Sequence, residues 1–146
     1  ESVKNVWNSS LPYLKGVSDY DHLSPVYSWS KTFSLLEINQ LISGLGSIYS
    51  LVPEQVTSSG RIRTLKVLGN KGSKIISGVE LRKILKLKST IFKISVDKES
   101  FTIKGRGFGH GIGMSQWGSF YLAKQNVPYY RILSHYYQNS NLTLLK

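Results

Sequence analysis

The segment from Gly105 to Gly118 reads Gly-Arg-Gly-Phe-Gly-His-Gly-Ile-Gly-Met-Ser-Gln-Trp-Gly and holds six of the chain's thirteen glycines. Glycine at every second position removes the side chains from one side of an extended stretch, so a ligand or another backbone can come within contact distance. The same glycines display His110, and Ser115 and Gln116 fall where the first turn of a following helix begins. A phosphate cradle would use glycine amides and a helix amino end, but the Lys-Ser/Thr pair of a P-loop is missing and the dinucleotide spacing fits poorly. A nucleophilic Ser115 would take His110 as its base and need a carboxylate behind it, yet no acid follows Glu99 in the chain. A metal on His110 and His135 would have only His22 as a third histidine, so no metal is expected. The remaining functional reading is the wall of a saccharide or peptide cleft, with His110 and Gln116 donating hydrogen bonds. Its structural counterpart is a glycine-rich strand crossing with an interior His110 bonded to backbone; the glycine density favours a site.

The elements that must hold this loop are short. Tyr27, Trp29, Lys31 and Phe33 alternate with small polar residues, which predicts a strand over 26–33. Ser34 and Glu37 have capping-box spacing, and Leu35, Ile38, Leu41, Ile42 and Leu45 recur with helical period until Gly44 and Gly46. A hairpin is predicted around Gly69-Asn70-Lys71-Gly72 with Ile62, Leu65 and Val67 inward, and Ser77 with Glu80 marks a second helix start. A second hairpin pairs 92–96 with 101–103 and delivers the chain to Gly105. Two helices close the sequence, one with Met114, Trp117, Phe120 and Tyr121 on a face and running out near Asn126. The other begins at Pro128 with Tyr129, Ile132, Leu133, Tyr136 and Tyr137 as its stripe. The expectation is an α+β fold, a mixed sheet of short strands and hairpins with a few short helices, and one domain over 1–146.

The chain has 146 residues, no cysteine and no run of eighteen apolar residues, which excludes disulfides and a transmembrane segment as organising features. Its formal charge is +11, and twelve Lys or Arg between Arg61 and Lys104 against Glu80, Asp97 and Glu99 place +9 of it in the middle third. Such a patch is either a solvated face or a seat for a polyanion. No nucleic-acid motif accompanies it, so no nucleic acid is expected as a partner. Glu1 opens the chain without an apolar signal segment, which reads as a mature or trimmed fragment.

Gly107 to Gly118, then Ala123 and Tyr130-Arg131-Ile132-Leu133-Ser134-His135-Tyr136-Tyr137, resemble the signature of the sporulation stage II protein D family (SpoIID, with the amidase enhancer LytB). Val6-Trp7, Leu11 to Val17, Asp21 and Ser24-Pro25 resemble the segment that follows the family's catalytic region. Ser59-Gly60-Arg61 and Gly78 to Leu85 match its middle. The resemblance implies peptidoglycan remodelling by lytic transglycosylases, which cleave between N-acetylmuramic acid and N-acetylglucosamine and leave a 1,6-anhydro end. One acid can run that chemistry, protonating the glycosidic oxygen and then, as carboxylate, assisting the sugar's own C6 hydroxyl. The alternative is a non-catalytic wall-binding or amidase-activating module.

The family's acid is a Glu in a Glu-Met-Pro stretch upstream of the region matched by Trp7, and nothing here matches it. The chain is therefore expected to be the carboxyl-terminal portion of such a domain, catalytically incomplete alone, with no catalytic residue assigned. Glu37 and Glu80 sit at capping positions and Asp97 and Glu99 in a hairpin turn, leaving Asp19, Asp21 and Glu54 loosely placed. The resemblance implies substrate-binding roles for His110 and Gln116 on sugar hydroxyls or acetamido groups, and for Arg106 on a muramic lactyl carboxylate. Ser115 would cap the following helix or bind substrate. Trp7 and Tyr13 would stack on sugar rings, while Tyr136 and Tyr137 suit core packing. Expected partners are glycan strands, a cell-wall amidase, and the missing amino-terminal segment as a separate chain. No cofactor is expected, and the expected location is extracytoplasmic, in the wall or anchored to the membrane by the parent protein.

Overall fold

Hydrophobic alternation, two serine caps and two tight turns organise residues 28–109, and the computed structural model resolves them as one compact unit. Residues 1–27 and 110–146 form a second unit. The structure describes Val3 and residues 11–143, so Glu1, Val6 and Trp7 lie outside the described residues.

The first unit runs β1 (Ser28–Ser34), α1 (Leu35–Leu41), β2 (Ile48–Val56), β3 (Ile62–Gly69), β4 (Gly72–Ser77), α2 (Gly78–Ile84), β5 (Phe92–Val96) and β6 (Ser100–Arg106). The α+β class is as expected. The strands divide into two antiparallel three-stranded sheets, β1-β6-β5 and β2-β3-β4, in place of one mixed sheet. The β3–β4 and β5–β6 hairpins impose antiparallel pairing locally, and β1 and β2 each join one of them in the same sense. Gly69 pairs with Gly72 across Asn70-Lys71, the turn predicted.

Serine starts both helices. Ser34 Oγ accepts from Glu37 N at 3.2 Å while Ser34 N donates to Glu37 Oε2 at 2.8 Å, the complete capping box. Donation to this carboxylate from Ser34 N, and from Ser34 Oγ at 3.0 Å, holds the Glu37 carboxyl below its ordinary value. Ser77 Oγ accepts from Glu80 N at 3.0 Å and caps α2. At the other end of α2, Lys31 Nζ donates to the carbonyls of Leu85 and Lys86 at 3.0 and 3.2 Å, placing a cation where the helix dipole is negative. Ile38, Leu65, Val67, Leu81, Phe101 and Ile103 lie at the centre of a single apolar cluster fed by both sheets and both helices.

The second unit contains a short 3-10 turn at Asp21–Leu23, α3 (Gln116–Lys124) and α4 (Tyr129–Tyr136). Among the described residues its apolar cluster holds Val3, Leu14 and Ile112 with Tyr137 against them. The stripe on α4 buries Ile132 and Tyr136, but α3 buries Gly118 and leaves Trp117 and Phe120 at 41% and 53% exposure. Trp117 and Phe120 are therefore reached by solvent, while Tyr121 on the same side stacks on Tyr20 with ring centroids 5.7 Å apart. Asn126, at φ 59°, ends α3 in the left-handed conformation at the position the sequence indicated. No helix among the described residues is long and apolar enough to cross a membrane.

Candidate functional site

The glycine-rich segment leaves β6 under tight control. Gly105 stands opposite Trp29, and a Cβ there would run into the indole ring. Trp29 Nε1 donates to the Gly107 carbonyl at 3.1 Å, and Gly109 N donates to the Lys88 carbonyl at 2.8 Å. Gly107, Gly109, Gly111 and Gly113 then take φ between 75° and 94°, a conformation that residues with a Cβ rarely adopt. The alternation seen in the sequence is thus a requirement for left-handed backbone, and the segment is a looped chain where an extended strand was expected.

His110 is exposed on this loop. Ile112 N donates to its Nδ1 at 3.0 Å, so in the neutral ring the proton sits on Nε2. Ile112 itself packs with Val3 and Leu14 and anchors the turn. His110 therefore combines both expected features, a bond to backbone and a displayed ring. Ser115 is the N-cap of α3, its Oγ accepting from Gly118 N at 3.1 Å, and Gln116 follows as the exposed first helical residue. Tyr13, at 39% exposure, precedes Leu14, which shares an apolar cluster with Ile112. Arg106 belongs to the other unit, as the exposed last residue of β6 in register with Ser28.

Sequence reasoning missed the polar lock beneath α3. Tyr136 OH donates to Asp19 Oδ1 at 2.8 Å, and Asp19 Oδ1 also accepts from Tyr20 N at 2.8 Å. A Cβ on Gly118 would collide with both Asp19 and the Tyr136 hydroxyl, so only glycine lets the pair lie against the helix. Burial, then the bond to Asp19 and its charge, raise the Tyr136 hydroxyl pKa above the ordinary tyrosine value. His135 Nε2 donates to the Ser18 carbonyl at 2.8 Å, and its ring meets Tyr136 edge-on at 4.8 Å. The available signal was Gly118 itself, a helix-interior glycine without a turn to explain it.

The fold and the glycine-rich site define an α+β protein whose displayed histidine is carried by backbone geometry. The chain belongs to the family described as Domain of unknown function (DUF8618), whose model matches residues 13–113. It is 32% identical to the stage II sporulation protein D of Bacillus subtilis (strain 168), over 98% of this chain and 41% of that protein. The stage II sporulation protein D of Bacillus amyloliquefaciens is 33% identical over the same shares. The amidase enhancer of Bacillus subtilis is 27% identical over 98% of this chain and 28% of its own length. The chain thus spans about two fifths of the sporulation proteins it matches. The resemblance carried by Gly107 to Gly118 extends along nearly all of it.

Proposed function

We propose that the chain serves bacterial cell-wall peptidoglycan remodelling as part of a lytic transglycosylase, supplying a glycan-binding wall rather than the reacting acid. The observation that carries this reading is the run of left-handed glycines that displays His110 just ahead of a Ser115-capped helix start bearing Gln116. His110 Nε2–H and the Gln116 amide donate to sugar hydroxyls or acetamido oxygens, and Tyr13 offers a ring face.

A general acid for glycoside cleavage needs a raised pKa. Glu37 and Asp97 are shifted the other way, by donation from Ser34 and from the Glu99 and Ser100 amides. Asp19 is engaged by Tyr136. The acid in this reading comes from the upstream segment of the parent protein, acting outside the cytoplasm. Incubation with amidase-denuded glycan strands should give binding without 1,6-anhydro ends, and cleavage once an acid-bearing segment is added. His110→Ala and Gln116→Ala should each weaken binding by about five- to ten-fold, the worth of one hydrogen bond, with little change in melting temperature. Anhydro ends made by the chain alone would overturn the division of labour.

A second reading is favoured by the relative named amidase enhancer. There the chain activates a cell-wall amidase, and a faster release of stem peptides on adding the chain, unchanged in His110→Ala, would select it.

A further inference from the structure

The β1-β6-β5 sheet has one face in the core and one in water, and the registers define the outer one. Trp29, Gly105 and Phe92 share the inner row, and so do Phe33, Phe101 and Val96. Between them, facing out, lie Ser28 beside Arg106, then Ser30, Lys104 and Lys93, then Thr32, Thr102 and Ser95. This outer face holds hydroxyls and three cations, and every one of those side chains except Thr102 belongs to an exposed residue. No carboxylate and no aromatic ring stands in these rows.

Two details make it more than a solvated surface. Lys93 and Lys104 are direct cross-strand partners, a like-charge pairing that destabilises a sheet unless an anion relieves it. Two neighbouring acids, Asp97 and Glu37, are committed elsewhere. Asp97 Oδ1 accepts from the Glu99 and Ser100 amides and Oδ2 from Ser100 Oγ, while Glu37 Oε2 is held by Ser34, both at the end of the sheet away from Arg106. Same-face residues along a strand are roughly 6.7 Å apart and adjacent strands about 4.8 Å. Arg106 and Lys104 therefore form a line of positive charge along β6, with Lys93 widening it sideways.

We propose that this outer face binds an extended polyol-phosphate polymer, a chain of phosphodiesters joined by hydroxyl-bearing units. Phosphates meet Arg106, Lys104 and Lys93 in succession, and the serine and threonine hydroxyls exchange hydrogen bonds with the polyol and phosphate oxygens. A single-stranded nucleic acid is the other phosphodiester chain, but its affinity rests on stacking of bases on aromatic side chains, and this face has none. The inference uses none of His110, Ser115, Gln116 or Tyr13; it takes Arg106 for a phosphate where the family resemblance gave it to a lactyl carboxylate, and the Lys93 and Lys104 variants that test it leave Arg106 in place.

The test is retention of the full chain on immobilised poly(glycerol phosphate), against single-stranded DNA and against denuded glycan, over a series of salt concentrations. Wild type should bind the polymer with a salt-dependent affinity, and Lys93→Gln with Lys104→Gln should lower it about ten-fold and flatten the log–log salt slope by roughly 1.4, two charges at about 0.7 each. Lys71→Gln with Lys74→Gln, which removes the same charge from the β3–β4 hairpin, should change it far less. Equal loss in the two double variants would reduce the face to general basicity and overturn the proposal. So would DNA held as tightly as the polymer and lost with the same pair. Unchanged glycan binding in the Lys93/Lys104 variant would keep the two sites separate.

Discussion

The two units of this chain are stabilised in different ways. Residues 28–109 bury a continuous apolar cluster in which Leu65, Val67, Phe101 and Ile103 have no exposure, and the chemistry-bearing side chains stay outside it. Among the described residues of 1–27 and 110–146, Val3, Leu14 and Ile112 cluster, α4 buries Ile132 and Tyr136, Tyr20 stacks on Tyr121, and individual polar contacts join them: Tyr136 on Asp19, His135 on Ser18, Ser115 on Gly118. Apolar burial is distributed over many contacts and tolerates losing any peripheral one, whereas a polar lock depends on each partner. His110, Ser115, Gln116 and Tyr13 all belong to the second kind of unit, where backbone geometry and not core packing sets their positions.

The largest effect expected is in the first unit. Phe101→Ala should cost about 3–5 kcal/mol, read from the denaturant midpoint, because a fully buried ring leaves a cavity. Gly118→Ala comes next, at about 1–3 kcal/mol for overpacking against Asp19 and Tyr136. Amide exchange in that variant should accelerate in α4 while β3 and β6 keep their protection; loss of protection in β3 and β6 as well would break the contrast between the units.

Tyr136→Phe removes one hydrogen bond and should cost about 1 kcal/mol near neutral pH. Its more informative consequence is a pH dependence. The folded state holds the Tyr136 proton above the ordinary value of 10.0, so the unfolded chain binds fewer protons once pH passes about 10. Wild-type stability should fall from there upward, the contribution being complete below pH 10, and Tyr136→Phe should lose less over the same range; melting temperatures between pH 9 and 11 decide it. The smallest effect is a gain. Lys104→Gln should stabilise the β1-β6-β5 sheet by a few tenths of a kcal/mol by removing the like-charge pair with Lys93.

Local rules made much of the first unit legible. The capping box at Ser34 and Glu37, the turn at Asn70-Lys71, and the inward row of Ile62, Leu65 and Val67 are short-range consequences of hydrogen bonding and alternation, and the structure holds each of them. The stripe on α4 was readable in part: Ile132 and Tyr136 are buried as its spacing required, while Tyr129, its first member, is 67% exposed. The same rule applied to α3 found a face that solvent reaches, since periodicity marks an apolar side but does not say what covers it. Of the candidate site, the residue types and the cap at Ser115 could be read. The acceptor role of His110 Nδ1 could not, because it depends on a bend two residues wide.

The sequence by itself determined the α+β class, the positions of the turns and caps, the concentration of charge, and the glycine-rich loop with its histidine. All of these follow from interactions within a few residues or from composition. Tertiary structure alone decided that the strands form two sheets, that Gly118 is the seat of an Asp19–Tyr136 pair 117 residues apart, and that Lys93 faces Lys104. Those facts depend on which distant segments meet, and partner choice between strands and helices is set by packing of the whole chain, which no local pattern encodes.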